Sequence, residues 1–485
     1  MLDGGIEQDA LHIWTVVVPV IALLLQIVGA IAALLSLKTA RTPQGAVVWV
    51  LFLLVLPLIA IPIYVVLGHS RYPGYVSARR SSKTMMRSLT ELRNENPPDY
   101  EATGTRLKPY MRGFETMTGL PLTSGNAVRL LIDGEAAFDA IFAAIDAAEH
   151  YILVQYYLVL HDRIGTEFQQ RLIRKAESGC KVRFLYDSLG SHGLDSGYLQ
   201  ALRDAGVLVE NFHSIRRASN RLQINFRNHR KIVVVDGTIG FVGGLNVGDE
   251  YLGRSAFFGP WRDTHAELRG PVVSELQQVF SEDWSWATDE KPELNWNAGA
   301  QPENLNAMIV APGPADELET GSMYFCNAIN AAHSRVWIAT PYFVPDTDVQ
   351  TALCVAAQRG VEVRLLVPQR RDHWLVWLAA YAYFDRMLDA GVSLFHYQEG
   401  FMHQKVILVD DCLASVGSIN LDNRSCQLNF EATAVVLDKG FAAKVEEMLL
   451  ADFARAAPYV IRLDDMPSLF KRYGARVARL FAPIL

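Results

Sequence analysis

Residues 13 to 37, IWTVVVPVIALLLQIVGAIAALLSL, carry no charge. About 20 apolar residues suffice for a helix to span a bilayer. Residues 46 to 67, AVVWVLFLLVLPLIAIPIYVVL, repeat the pattern after the short link KTARTPQG. Pro57 and Pro62 predict kinks there, which packed neighbours can accommodate in lipid. The pattern therefore predicts a two-helix transmembrane hairpin, with helices at about 13–37 and 46–67. The leader carries Asp3, Glu7 and Asp9 and no early Lys or Arg, which argues against a cleaved signal peptide. Basic residues then gather at Arg71, Arg79, Arg80, Lys83 and Arg87, against Lys38 and Arg41 in the link. By the positive-inside rule, the large C-terminal part is expected in the cytoplasm.

Beyond the polar linker the period changes. AAFDAIFAAIDAAEHYILVQYYLV reads as a helix and then a strand, and GTEFQQRLIRKAESGCKVRFLYD as another such pair. The second half copies the order. AINAAHSRVWIATPYFV echoes the first stretch, AAQRGVEVRLLVP echoes KAESGCKVRFLYD, and MLDAGVSLF echoes LRDAGVLVE. An α/β unit has been duplicated. The expected organisation is a membrane hairpin at 1–70, a basic and polar linker at 71–104, halves at 105–290 and 305–460, and an amphipathic tail at 461–485.

Composition supports an attached membrane part. Half of the 485 residues are hydrophobic and the mean hydropathy is +0.12. A net charge of −7 argues against a generic nucleic-acid binder. The five cysteines include no Cys-x-x-Cys pair, so neither a disulfide framework nor a zinc site is indicated.

The candidate chemistry lies in NHRKIVVVDGTIGFVGGLN, residues 228–246, and MHQKVILVDDCLASVGSIN, residues 402–420. One constant offset aligns His229, Lys231, Asp236, Gly244 and Asn246 with His403, Lys405, Asp410, Ser418 and Asn420. A strand has period two, so each His and Lys share a face. A single His-x-Lys pair reads as structural; two copies in register do not arise easily by accident. Metal binding fits poorly, because a lysine amine is normally protonated and no carboxylate-rich cluster accompanies the pairs. Two imidazoles and two ammonium groups do suit a phosphodiester. One imidazole can attack phosphorus, the other can protonate the leaving oxygen, and Lys231 and Lys405 can grip the phosphate. Asn246 and Asn420 can add neutral donors. An acidic partner on each imidazole could bias it toward base or acid. Asp236 and Asp410 are candidates within the motifs, although both fall beyond the strand, where they could serve only to fix a loop.

The paired HRKIVVVD and HQKVILVD, each followed by Gly-Gly/Ser-x-Asn, resemble the phospholipase D superfamily. With the membrane hairpin, PWRDTHAELRG, TPYFVPD and RLFAPIL, the chain resembles its bacterial cardiolipin synthase branch from about residue 40 to the end. The resemblance implies duplicated α/β sandwich halves with one active site between them. It also implies a phosphatidyl-histidine intermediate, no cofactor, and a multi-pass protein of the bacterial inner membrane. His229 would be the nucleophile and His403 the acid and base, although the sequence itself is symmetric on this point. The substrate would be phosphatidylglycerol, two molecules giving cardiolipin and glycerol. A phospholipase D using water, a synthase using phosphatidylethanolamine, and a lipid-binding membrane scaffold are the alternatives. Gly244 against Ser418 implies asymmetric hydroxyl contacts.

Two further features bear on lipid. HSIRRASNRLQINFRNHRK, residues 213–231, has six Lys/Arg and no acid, which suits anionic head groups. In the tail, Phe470, Tyr473, Val477, Leu480 and Phe481 recur at helical spacing among Lys471, Arg472, Arg476 and Arg479. That pattern fits an interfacial helix or one packed on the catalytic part.

Overall fold

The computed structural model describes residues 13–40, 42–68, 91–101, 103–212 and 225–485. The leader, Arg41, the five basic residues after the second apolar run and most of the basic stretch 213–231 lie outside them. The chain divides into two compact units, one holding the N-terminal helices and the other the α/β body.

Among the described residues, one helix is long and apolar enough to cross a membrane, Thr15–Thr39 in the first unit. The second apolar run is not one helix. It breaks at Leu56 into helices Pro43–Val55 and Pro57–Leu67, because Pro57 has no N–H to continue the ladder. The Gln26 side-chain amide donates to the Leu54 carbonyl at 2.8 Å, giving that oxygen a partner beside the break. Gly29, Ala32, Ala33 and Ser36 line the buried side of the long helix, while Leu23, Leu24, Ile31 and Leu34 face outward. Small residues inside and large apolar ones outside is the pattern of helices packed in lipid.

In the second unit the first half contributes β1 (Thr123–Ile132), β2 (Tyr151–Tyr156), β3 (Lys181–Tyr186), β4 (Leu208–Asn211), β5 (Arg227–Asn228), β6 (Ile232–Val235), β7 (Ile239–Gly243), β8 (Trp261–Arg262) and β9 (Thr264–Arg269). The second half contributes β10 (Leu305–Val310), β11 (Arg335–Ala339), β12 (Phe343–Val344), β13 (Glu362–Pro368), β14 (Ser393–Tyr397), β15 (Phe401–Met402), β16 (Val406–Val409), β17 (Leu413–Gly417), β18 (Leu421–Asp422), β19 (Asn429–Phe430), β20 (Thr433–Leu437) and β21 (Ala456–Tyr459). From the centre outward, β1-β9-β7-β6-β2-β3-β4 mirrors β10-β20-β17-β16-β11-β13-β14, with β21 added at the second edge. The duplication in sequence is thus a duplication in topology. The halves are not separate bodies: β1 pairs antiparallel with β10, fusing both sheets into one of 15 strands. Strands β6 and β16, which follow the two His-x-Lys pairs, are wholly buried and read as unbroken apolar runs.

Candidate active site

Each motif histidine sits at the end of a two-residue strand that pairs with the other half. β5 runs parallel to β19, placing Asn228 opposite Phe430. The His229 amide donates to the Phe430 carbonyl at 2.9 Å. One residue further on, the side chains of His229 and Glu431 stand side by side, with Nδ1 2.9 Å from Oε2. β8 and β15 repeat the device. Met402 lies opposite Arg262, the His403 amide donates to the Arg262 carbonyl at 2.8 Å, and His403 Nδ1 lies 2.8 Å from Asp263 Oδ2. Each imidazole therefore takes its carboxylate from the opposite half, and the site is complete only when both are folded together.

These carboxylates belong to the candidate site, and sequence reasoning did not name them. Their positions obey the same repeat. Asp263 lies two residues before His265, the register partner of Gly243, and Glu431 lies two before Thr433, the partner of Gly417. Laying RDTHA over FEATA was the signal that could have found them.

The carboxylates fix the imidazole tautomer. Nδ1–H donates to the acid, which leaves the Nε2 lone pair on the far side of each ring. The Ser418 hydroxyl donates to the same Glu431 oxygen at 2.5 Å. Gly244 occupies the matching place, where a Cβ would come within 2.1 Å of Asp263 Oδ1. The expected asymmetry between Gly244 and Ser418 is thus physical: one half clears room for its carboxylate and the other adds a donor to it. Tyr157 meets His229 edge-on at 4.9 Å between ring centroids, while Trp261 and Tyr342 lie 5.2 and 6.3 Å from His403.

Lys231 is fully buried and Lys405 nearly so. Lys231 Nζ donates to the His229 carbonyl at 2.7 Å, and Lys405 to that of His403. Lys405 Nζ also lies 2.8 Å from His403 Nδ1. With Asp263 ionised that nitrogen holds a proton, so the ammonium serves the carbonyl and not the ring. Burial pushes Lys231 down to about 7, with Lys405 repelling it further, and burial pushes Lys405 down to about 8. Burial also lowers His229, and with Lys405 it takes His403 down to about 4. Burial works against the charge on Asp263 and Glu431, but their cationic neighbours outweigh it and hold both below the ordinary range. Two neutral imidazoles, two carboxylates and two buried amines that part with protons near neutrality leave the pocket with no excess negative charge when the amines are protonated. A phosphodiester placed between the amines would favour their charged form.

Asn246 and Asn420 are buried. Asn246 donates to the Tyr251 hydroxyl at 2.9 Å, and each asparagine leaves its Oδ1 without a partner among the described residues. Rotating either amide by half a turn offers an N–H donor there instead. No group of three or more potential metal ligands occurs among the described residues.

Asp236 and Asp410, candidates from the motif, are not brought to the imidazoles. Each sits past its strand at positive φ, 51° and 53°. Asp236 accepts the amides of Glu149, His150 and Tyr151; Asp410 accepts those of His333, Ser334 and Arg335 and pairs with Arg106. The physical reason is reach: five residues of extended chain separate each from its lysine, about 16 Å at 3.3 Å per residue. They clamp the start of β2 and β11. Burial opposes the charge of Asp410, but Arg106 and the amides hold it down to about 2. Its stabilisation is therefore present above the ordinary carboxylate range and lost as pH falls through about 2. Asp410→Ala should cost about 1.5–3 kcal/mol of stability. Turnover per folded molecule should be unchanged, as read from denaturant unfolding beside active-site titration.

Comparison with known proteins bears on this arrangement. The domain family described as "Cardiolipin synthase, PLD-like domain" matches residues 141–284 and 325–453. Cardiolipin synthase A of Pseudomonas aeruginosa is 47% identical over 464 residues, covering 95% of this chain and 95% of that protein. The chain belongs to the cardiolipin synthase family. Cardiolipin synthase A of Pseudomonas putida (strain W619) is 46% identical over 466 residues, covering 95% of this chain and 97% of its own. Among solved structures, phosphatidylserine synthase of Haemophilus influenzae Rd KW20 shares the fold with a TM-score of 0.58 at 15% identity, over 78% of this chain and all of that one. The family's paired domain matches span the two halves of the fused sheet, and each contributes one His-x-Lys pair and one crossing carboxylate.

Proposed function

We propose that this enzyme condenses two phosphatidylglycerol molecules into cardiolipin and glycerol, in the bacterial inner membrane with its catalytic body on the cytoplasmic side. In the first step the Nε2 lone pair of His229 attacks phosphorus. The bond to the glycerol oxygen breaks, and that oxygen takes its proton from Nε2 of His403. That ring must enter the step as imidazolium, a form the Asp263 anion and the bound phosphate both favour. In the second step His403 takes the proton of a head-group hydroxyl on another phosphatidylglycerol. That oxygen attacks phosphorus, the P–N bond breaks, and His229 is restored. Lys231 and Lys405 hold the phosphate oxygens throughout, with Asn246 and Asn420 as neutral donors. Glu431 and Asp263 act as positioning residues through the rings. The observation that carries this reading is the crossed pairing of each imidazole with a carboxylate of the other half. Two rings so held, flanked by two buried amines, serve a two-step exchange at one phosphorus.

Purified protein given labelled phosphatidylglycerol as sole lipid should release one glycerol per cardiolipin. Phosphatidic acid as the main product would identify water as the acceptor. A requirement for added phosphatidylethanolamine would change the second substrate.

The lysines predict the pH profile. Both are lowered in the free protein, to about 7 and about 8, and both must be cationic to hold the phosphate. kcat/KM should therefore fall as pH rises through 7 to 8. A bound phosphate favours the charged amines, so kcat should fall only at higher pH. Steady-state kinetics across pH 6 to 10 would check this; coincident profiles for the two constants would contradict it.

A further inference from the structure

The helix Leu469–Arg479 packs with its small residues inward and its large ones outward. It lies along helix Trp374–Ala390. Its buried residues are Ala475 and Ala478. Leu469, Phe470, Tyr473, Val477 and Leu480 are instead 63%, 64%, 62%, 57% and 77% exposed. At 3.6 residues per turn these five fall within an arc of about 100°. The surface continues onto the first turn of the neighbouring helix, where Trp374 and Leu375 are also exposed and Phe470 meets Trp374 edge-on. Arg371 lies over the Trp374 ring at 3.3 Å. Lys471, Arg472, Arg476 and Arg479 flank the arc, and residues 469–485 contain no acid.

A water-facing helix would not leave its largest apolar side chains outside and bury alanines. Aliphatic and aromatic side chains bordered by cations match the head-group layer of an anionic bilayer. A second copy of this chain is a poorer fit, since a two-fold contact would set the four flanking cations against their duplicates. The patch also adjoins the catalytic pocket. Asp372, two residues before Trp374, accepts the Tyr342 hydroxyl, and Tyr342 lies edge-on to His403.

We propose that this face docks on an anionic bilayer, seating Trp374, Phe470, Tyr473, Val477 and Leu480 among the lipids beside the mouth of the site. Docking stands on the patch alone; its effect on turnover rests on the lipid-substrate reading above.

The test uses the full chain in nanodiscs containing phosphatidylglycerol, with a bimane label on Leu480→Cys and the unsubstituted protein, put through the same labelling, as the blank. Lipids brominated near the glycerol end should quench the label. Quenching should diminish when Arg476→Glu and Arg479→Glu are added. A label left unquenched overturns the proposal, whether it faces water or a second copy. In a second arm, Phe470, Tyr473, Val477 and Leu480 are each changed to Ser. Turnover of bilayer lipid should drop about tenfold, with turnover of monomeric short-chain phosphatidylglycerol unaltered. Equal loss on both would also overturn it. If the unsubstituted protein turns over neither lipid, the substrate reading falls, and the quenching result still decides the docking.

Discussion

His229→Ala should form no covalent phosphoenzyme, whereas His403→Ala should form one and release it slowly. The two rings occupy equivalent places, each with Nδ1 against a carboxylate of the other half, so only the order of chemistry separates them. A nucleophile cannot be bypassed, because removing it leaves no atom to take the phosphatidyl group. An acid can be bypassed by a better leaving group. General acid–base assistance is worth about 10² to 10⁴ in rate. With a nitrophenyl phosphodiester as donor, departure needs no proton. His403→Ala should then accumulate the P–N adduct, since nothing activates the incoming hydroxyl. The measurement is acid-quenched trapping of labelled enzyme with the label mapped to a peptide. Label on His403 that survives in His229→Ala would reverse the assignment and leave the two-histidine mechanism standing.

The crossing carboxylates carry the second large effect. Glu431→Gln and Asp263→Asn keep volume and a polar group but remove the anion that sets each tautomer. An amide can present its N–H to Nδ1, which moves the ring proton to Nε2 and occupies the lone pair needed for attack. Loss of such an orienting acid is expected to lower kcat by about 10² to 10⁴, with KM nearly constant, because the lysines that hold phosphate remain. The pH profile should respond as well. Each anion favours the protonated form of its ring, so removing it lowers the ring's pKa further. In Glu431→Gln the acid limb set by His229 should move down, and in Asp263→Asn the limb set by loss of the His403 proton should move to lower pH. A merely structural role would instead lower the fraction of active protein, with kcat per site and the profile unchanged. Active-site titration before each rate measurement separates the two outcomes.

Much of this protein is legible along the chain because its signals are local or repeated. The apolar run at 13–37 needs only its own length to announce a membrane helix. Period two puts each histidine beside its lysine in any strand, and the constant offset between the motifs exposes the duplication before any fold is known. Pro57 marks the break in the second apolar run, although not that the run would become two short helices.

The rest depended on distance in sequence. Glu431 lies 202 residues from His229, and Asp263 lies 140 from His403. Only the parallel pairings β5–β19 and β8–β15 bring them together, and two-residue strands leave no periodic trace. The motif aspartates looked catalytic because they travel with the lysines, yet a strand carries its ends apart, and both became clamps on neighbouring turns. The tail's spacing established an amphipathic helix but not which face is buried. Packing against residues 374–390 decided that, because a close helix contact favours Ala475 and Ala478 over bulkier side chains. Local pattern thus determined the elements of this chain and the imidazoles and amines of its candidate site. The partners that tune those groups, and the apolar face of the tail helix left exposed, came from contacts that exist only once the chain has folded.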